Sequence, residues 1–223
     1  MRLLTETGVA GRPQSWFRRE NRAEFAADWR VDGADPAAFV AAALVAGRSA
    51  NGVFGLRVMG ENFAALLADL QSLHPGLRGL ALLTAVFGRC LFILLQRQDG
   101  VAQAVSRLRA EQTRHWHTFD GKVSIEGGNP APAVYDFQKL ATYLQEARTG
   151  THWLQDWFVL ENLAPIRLTY EALSADPQGV VRALLGDLAL PVPGTDPLPI
   201  ATGRLADALN TVWAARFRAE GGI

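Results

Sequence analysis

The 223-residue sequence contains a single cysteine, Cys90, so no intramolecular disulfide framework can form, and the chain fits a reducing compartment. Set in an apolar run, Cys90 reads as an inert buried thiol. Neither sign of charge is in excess. Twenty-two basic residues cancel twenty-two acidic ones, which removes any global field toward nucleic acid or an anionic membrane surface. Any anion site must therefore be local. There is no uninterrupted apolar run of membrane-spanning length: the longest candidate, residues 80–95, is cut by Gly88 and Arg89. The opening MRLLTETGVAGRP has no apolar core of signal-peptide length, and together these absences point to the cytoplasm. Internal repeats and low-complexity tracts are also missing. Two histidines, His115 and His117, lie in a stretch read as helix, where i and i+2 face apart; with no third ligand nearby, no metal site is expected.

What is present is ample material for a core, since 49% of the residues are apolar, and the length suits one domain over residues 1–223. Three short apolar segments read as buried strands: VFGLRVM (53–59), CLFILL (90–95) and IRLTY (166–170). Each is followed by a helical pattern. ENFAALLADLQSL sets Phe63, Leu66, Leu67, Leu70 and Leu73 on one face; a second helix runs from 99 to about 116, and a third spans 176–190. Asp35-Pro36 and Asp176-Pro177 each place an acid that can accept an orphan amide before a first-turn proline that has none to donate. Residues 122–134 (KVSIEGGNPAPAV) read as a surface loop, 135–162 as a long helix, 191–199 as another loop and 203–220 as a closing amphipathic helix. Strands alternating with helices predict an α/β fold with a parallel sheet flanked by helices.

Residues 91–117, LFILLQRQDGVAQAVSRLRAEQTRHWH, carry the most chemistry. An apolar strand runs into Arg97 and Asp99, and ligands of parallel α/β sheets bind beyond the carboxyl ends of strands. A helix N-terminus attracts anions, and a guanidinium adds paired donors that match phosphate oxygens. With Asp99 as the N-cap, an anion belongs beside the turn and not on top of it. Ser106, seven residues on, returns to nearly the same azimuth about 10 Å along the axis. Arg97 and Ser106 could share one phosphate; the plainer alternative is a solvated arginine and a serine bonded to its own helix backbone.

Several stretches together resemble bacterial sulfotransferases of the trehalose 2-sulfotransferase type. Arg97, Asp99, Gln103 to Ser106, Ala110, Gln112, Thr113 and Trp116 are similar to the segment that holds the donor's 3′-phosphate in that family. GVAGRP (8–13) with Phe17, GVFG (52–55) with Arg57 and Met59, then Trp157, Phe158, Pro165, Ile166, Tyr170, Arg204, Trp213 and Arg216 follow in order. The resemblance implies a P-loop-NTPase-like sulfotransferase fold. It also implies transfer of a sulfuryl group from 3′-phosphoadenosine 5′-phosphosulfate to a hydroxyl of a carbohydrate or other small acceptor. Arg97 and Ser106 then carry over as 3′-phosphate ligands. Arg57 matches a basic position beside the family's active site, with a structural ion pair as its alternative, and Arg204 matches an arginine before the last helix. The resemblance gives no nucleic-acid partner and leaves a homodimer open.

Two departures accompany it. The family opens with a strand, a phosphosulfate-binding loop and a helix, whereas residues 2–7 resemble the end of that helix with Gly8 as its stop, so the reading expects an N-terminally truncated form with impaired transfer. The trehalose enzyme's catalytic glutamate falls at Ser15, and Glu20, Glu61, His115 and His117 offer no spacing that selects a base. A non-catalytic relative acting as a nucleotide-binding or interaction module is the alternative. A nucleotide kinase finds no GxxxxGK[ST] to support it.

Overall fold

A computed structural model of the chain describes residues 2–119, 122–125, 131–192, 194 and 208–221. In chain order these form α1 (Arg2–Glu6), a 3-10 turn (Arg19–Asn21), α2 (Arg22–Trp29), α3 (Pro36–Gly47), α4 (Gly60–Gln71) and α5 (Gly79–Phe87). There follow β1 (Ile93–Gln96), α6 (Gly100–Thr113), β2 (His115–Phe119), β3 (Lys122–Ile125), α7 (Phe137–Leu160), β4 (Ile166–Thr169), α8 (Tyr170–Ala175), α9 (Pro177–Asp187) and α10 (Ala208–Ala219). β1 and β4 form a small parallel sheet flanked by helices, so the protein is a helix-rich α/β fold. The chain divides into two compact units. The first comprises Met1–Leu94, Leu154–Leu168 and Ala172–Pro199; the second comprises Leu95–Trp153, Thr169–Glu171 and Ile200–Ile223.

Local chemistry sets the helix ends. Asp35 accepts hydrogen bonds from the amides of Ala37 (2.9 Å) and Ala38 (3.2 Å), and Asp176 accepts one from Gly179 (2.8 Å), so both Asp-Pro pairs start helices as their chemistry dictates. α1 stops ahead of Gly8, whose φ of 70° lies in the left-handed region that glycine enters without strain. α6 ends at Thr113, short of the expected 116, because Arg114 turns left-handed with φ 60°.

Three expectations need correction. Residues 53–59 are extended but form no strand: Phe54 and Leu56 make isolated bridges to Arg48 and Gln14. The backbone explains why. The Gly55 amide donates to the Gly47 carbonyl at 3.0 Å and the Arg57 amide to the Gln14 carbonyl at 3.0 Å, so the segment is shared between two neighbours and ladders with neither. A Cβ on Gly11 would stand 2.3 Å from the Gly55 nitrogen, which keeps these backbones in direct contact only while both residues are glycine. Residues 122–125 are not loop but β3, paired antiparallel with β2, with Phe119 opposite Lys122. His115 and His117 consequently sit on a strand and not on a helix, so the facing-apart argument does not apply to them. Among the described residues no three His, Cys, Asp or Glu side chains gather into a metal-holding group.

In the first unit, α4, α5, β1 and the end of α7 bury Phe63, Leu66, Leu70, Leu82, Leu83, Leu94, Trp157 and Phe158 together, and α1 and α9 close a smaller cluster of Leu3, Ala10, Val181 and Leu185. In the second, α6, α7 and α10 bury Val101, Val105, Leu108, Leu140, Leu144, Trp213 and Phe217. Gly100 lets α7 close on the start of α6: a Cβ there would stand 3.0 Å from Leu144 Cδ1. No helix among the described residues is long and apolar enough to cross a membrane.

Candidate functional site

β1 ends at Gln96 and three residues, Arg97, Gln98 and Asp99, turn the chain into α6. Asp99 caps the helix by accepting the Ala102 amide at 2.9 Å. Glu171, at the start of α8, takes the turn's own amides: both carboxylate oxygens lie 3.2 Å from the Gln98 nitrogen, and one lies 3.4 Å from that of Asp99. Burial pushes both carboxyl groups up, but the amides they accept and the neighbouring Arg97 outweigh it and hold both below their ordinary values. For Asp99 the Arg218 guanidinium adds to the lowering. Both acids are thus anionic at neutral pH, and the amides of Gln98, Asp99 and Ala102 are occupied. Side chains beside the turn are the donors left to meet an incoming anion there, together with the start of α6.

Arg97 is placed to do that. Its guanidinium lies over the Tyr170 ring, 4.5 Å from the centroid, which fixes the plane of its donors. Its Nε is buried and has no hydrogen-bond partner among the described residues. Leaving a charged donor unpaired costs about 1–3 kcal/mol or more, so such an atom calls for an acceptor.

The space around it is a cavity of about 760 Å³, of the size that takes a nucleotide-sized ligand. The turn contributes Arg97, Asp99 and Gly100; α7 contributes Leu144, Ala147, Arg148, Thr151 and His152; α10 contributes Arg218. Arg218 donates to the Asp99 carboxylate at 2.7 Å. Three guanidiniums, an imidazole and one carboxylate share the lining with the apolar Val101, Leu144 and Ala147, a composition suited to an anionic organic ligand.

The residues expected from the sequence fall in different places. Arg97 lines the cavity. Ser106 sits two turns down α6, half-buried and outside the lining. Arg57 belongs to the first unit, where its Nη2 lies 3.3 Å from Met59 Sδ, and Arg204 lies outside the described residues. Ser15, Glu20 and Glu61 also belong to the first unit. A hydrogen bond within its own backbone and the ion pair with Arg18, at 3.2 Å, hold the Glu20 carboxyl below its ordinary value despite the counter-effect of burial. Sequence reasoning missed Arg148, His152 and Arg218. A signal for the first two existed: 144, 147, 148, 151 and 152 share one helical face, so an apolar stripe carries an arginine and a histidine one turn apart.

A small parallel sheet lies between helices, with an arginine-lined cavity just beyond the carboxyl end of a strand, the place where α/β sheets present their ligand sites. The family follows from the whole chain: residues 1–220 match the Stf0 sulphotransferase family, and the protein belongs to it. Among curated proteins it is similar to the trehalose 2-sulfotransferase of Mycobacterium tuberculosis (strain ATCC 35801 / TMC 107 / Erdman), with 29% identity over 233 residues covering 97% of this chain and 82% of the relative. It is equally similar to the trehalose 2-sulfotransferase of Mycolicibacterium smegmatis (strain ATCC 700084 / mc(2)155), with 29% identity over 243 residues covering 97% of this chain and 88% of the relative.

Proposed function

We propose that the protein takes part in sulfuryl transfer from 3′-phosphoadenosine 5′-phosphosulfate to a hydroxyl of a carbohydrate or other small acceptor, and that the cavity beside the β1–α6 turn receives the donor's 3′-phosphate. The observation that carries this reading is the buried, unpartnered Nε of Arg97, held over Tyr170 at the edge of a cationic cavity. The donor brings the reactive sulfuryl group; this chain's part is to bind and orient it. Arg97 offers paired N–H donors to phosphate oxygens, a geometry that fixes rotation as well as position. Asp99 and Glu171 hold the turn rigid by occupying its amides, so the guanidinium has a fixed base. Ser106 is the second ligand this reading proposes, reached along α6, while Arg57 and Arg204 are further donor contacts. Family membership and the two trehalose 2-sulfotransferases support the reaction class and a sugar hydroxyl as acceptor.

The test is calorimetry with adenosine 3′,5′-bisphosphate and adenosine 5′-phosphate. The bisphosphate is expected to bind more tightly, and Arg97→Ala to remove the difference, at a cost of about 1.5–3 kcal/mol for a lost charge-assisted hydrogen bond. Equal affinities in the unmutated protein would overturn the assignment. A donor-dependent assay across trehalose and other hydroxyl compounds then identifies the acceptor.

A further inference from the structure

We infer that Arg148 is the residue that makes this cavity select a phosphate monoester dianion over a singly charged phosphodiester; the inference rests on the cavity being the 3′-phosphate site. Arg148 stands on α7, away from the β1–α6 segment that carries the family resemblance. Three guanidiniums, those of Arg97, Arg148 and Arg218, line the cavity, and the carboxylates of Asp99 and Glu171 stand at its turn, an excess of one positive charge. A phosphate monoester carries close to two negative charges at neutral pH, and a diester carries one.

The three guanidiniums are not equivalent. Arg218 is committed to Asp99 at 2.7 Å. The charge of Arg97 is offset by Glu171, whose carboxyl group it helps to hold ionised. Arg148 has no acidic partner and no hydrogen bond among the described residues. It is the lining cation whose charge nothing in this unit is shown to neutralise.

Its position follows from helix geometry. Leu144 is pinned against Gly100 at the first residue of α6, and Arg148 stands one turn further along α7, about 6 Å along the axis, with His152 a turn beyond. Arg148 and Arg97 line the same cavity, so a flexible guanidinium on α7 can turn to an oxygen of a phosphate held by Arg97. Arg97 thus supplies recognition of an anion, and Arg148 supplies the count of its charge. Like charges brought together in an open site repel, so the second cation is favourable only when the ligand carries the second negative charge.

The experiment measures binding of adenosine, adenosine 3′-phosphate and its 3′-methyl phosphodiester to the full chain and to Arg148→Gln, Arg148→Lys and Arg148→Glu. The unmutated protein is expected to prefer the monoester over the diester by about tenfold, the scale of one charge-assisted hydrogen bond. Arg148→Gln brings that ratio close to one while the diester still binds better than adenosine. Arg148→Lys keeps most of the ratio, and Arg148→Glu depresses monoester binding further than Gln does. Arg148 is exposed, so circular dichroism of the variants is expected to match that of the parent. If the unmutated protein binds adenosine 3′-phosphate no better than adenosine, the reading of the cavity fails and this inference with it. If the monoester is preferred but Arg148→Gln keeps the full ratio, or Lys loses as much as Gln, the role of Arg148 alone is overturned.

Discussion

The two compact units hold themselves together by different means. In the first, rings meet in a continuous series: Trp16 contacts Phe25 at 5.2 Å and Trp29 at 5.7 Å, Trp29 contacts Phe39 at 5.2 Å, and Phe39 leads through Phe17 to Phe87 and Phe54. The indole of Trp16 donates to the Gly55 carbonyl at 3.0 Å, so its one polar atom is satisfied inside this cluster. In the second, the apolar centre is rimmed by two mixed clusters. Arg107 lies over the Tyr143 ring at 4.2 Å and pairs with Glu111 and Glu146, while the Tyr143 hydroxyl donates to Glu111. Arg216 lies over Tyr135 at 3.9 Å and pairs with Glu220, which also accepts from the Tyr135 hydroxyl at 2.7 Å. Aromatic and aliphatic burial is nearly blind to pH and salt, whereas clusters of tyrosine, arginine and glutamate are not. The second unit, which holds the arginine-lined cavity, sets the larger share of its aromatic rings in charged clusters.

The comparison can be broken most forcefully at Phe39, which is fully buried in the first unit. Phe39→Ala is expected to cost about 3–5 kcal/mol in urea unfolding, with a loss that changes little between low and high salt because burial outweighs the Arg22 guanidinium lying 4.4 Å over the ring. A strongly salt-dependent loss would deny the contrast. Leu140→Ala, equally buried in the second unit, should cost about 2–5 kcal/mol.

Alkaline titration sharpens the contrast next. Burial and the hydrogen bond to Glu220 push the Tyr135 hydroxyl up to about 12, and burial with the bond to Glu111 does the same for Tyr143. A raised value in the folded state means stabilisation present in full below the unfolded value of about 10 and lost as pH rises toward 12. Phenolate absorbance from these two residues should develop near pH 12, and unfolding above pH 10 should begin in the second unit. At the acid end the sign reverses. Asp99 and Glu171 are held low, so their stabilisation is present above the ordinary carboxylate range of about 4 and is lost as pH falls below it.

A smaller effect concerns the cavity. Asp99→Asn keeps a good helix cap but removes the negative charge that opposes an anion and releases Arg218. Affinity for adenosine 3′-phosphate is expected to rise several-fold with little change in melting temperature; a fall would show that the Asp99–Arg218 pair is needed to shape the site. The smallest effect is expected at the exposed pair of Arg19 and Asp69 in the first unit, 2.9 Å apart, where Asp69→Ala should cost less than about 1 kcal/mol.

Features that depend on a few consecutive residues were legible in the sequence. Both Asp-Pro helix starts, the Gly8 stop, the Asp99 cap and the position of Arg97 beyond a strand all follow from chemistry within four residues of the feature. Features that depend on which distant segment lies alongside were not. Residues 53–59 have strand composition, but whether they ladder depends on Gly47 and Gln14, far away in the chain. The glycines after Lys122 suggested a loop and hid the hairpin, although Asp120-Gly121 between β2 and β3 is a recognised hairpin signal. Arg148 and Arg218 come to the cavity on helices that start well after Arg97, and only the packing of those helices reveals that they meet.

The carboxylate of Glu171, seated on the amides of Gln98 and Asp99, has a bearing on how such a site can change over generations. A phosphate cradle made of backbone amides is altered only by rebuilding a loop. Here Glu171 takes the Gln98 and Asp99 amides, and the cations of the cavity stand on three separate elements, each replaceable by a single substitution. Ligand charge preference can therefore drift in small independent steps, and related chains are expected to vary at 148, 152 and 218 while keeping the acid at 171.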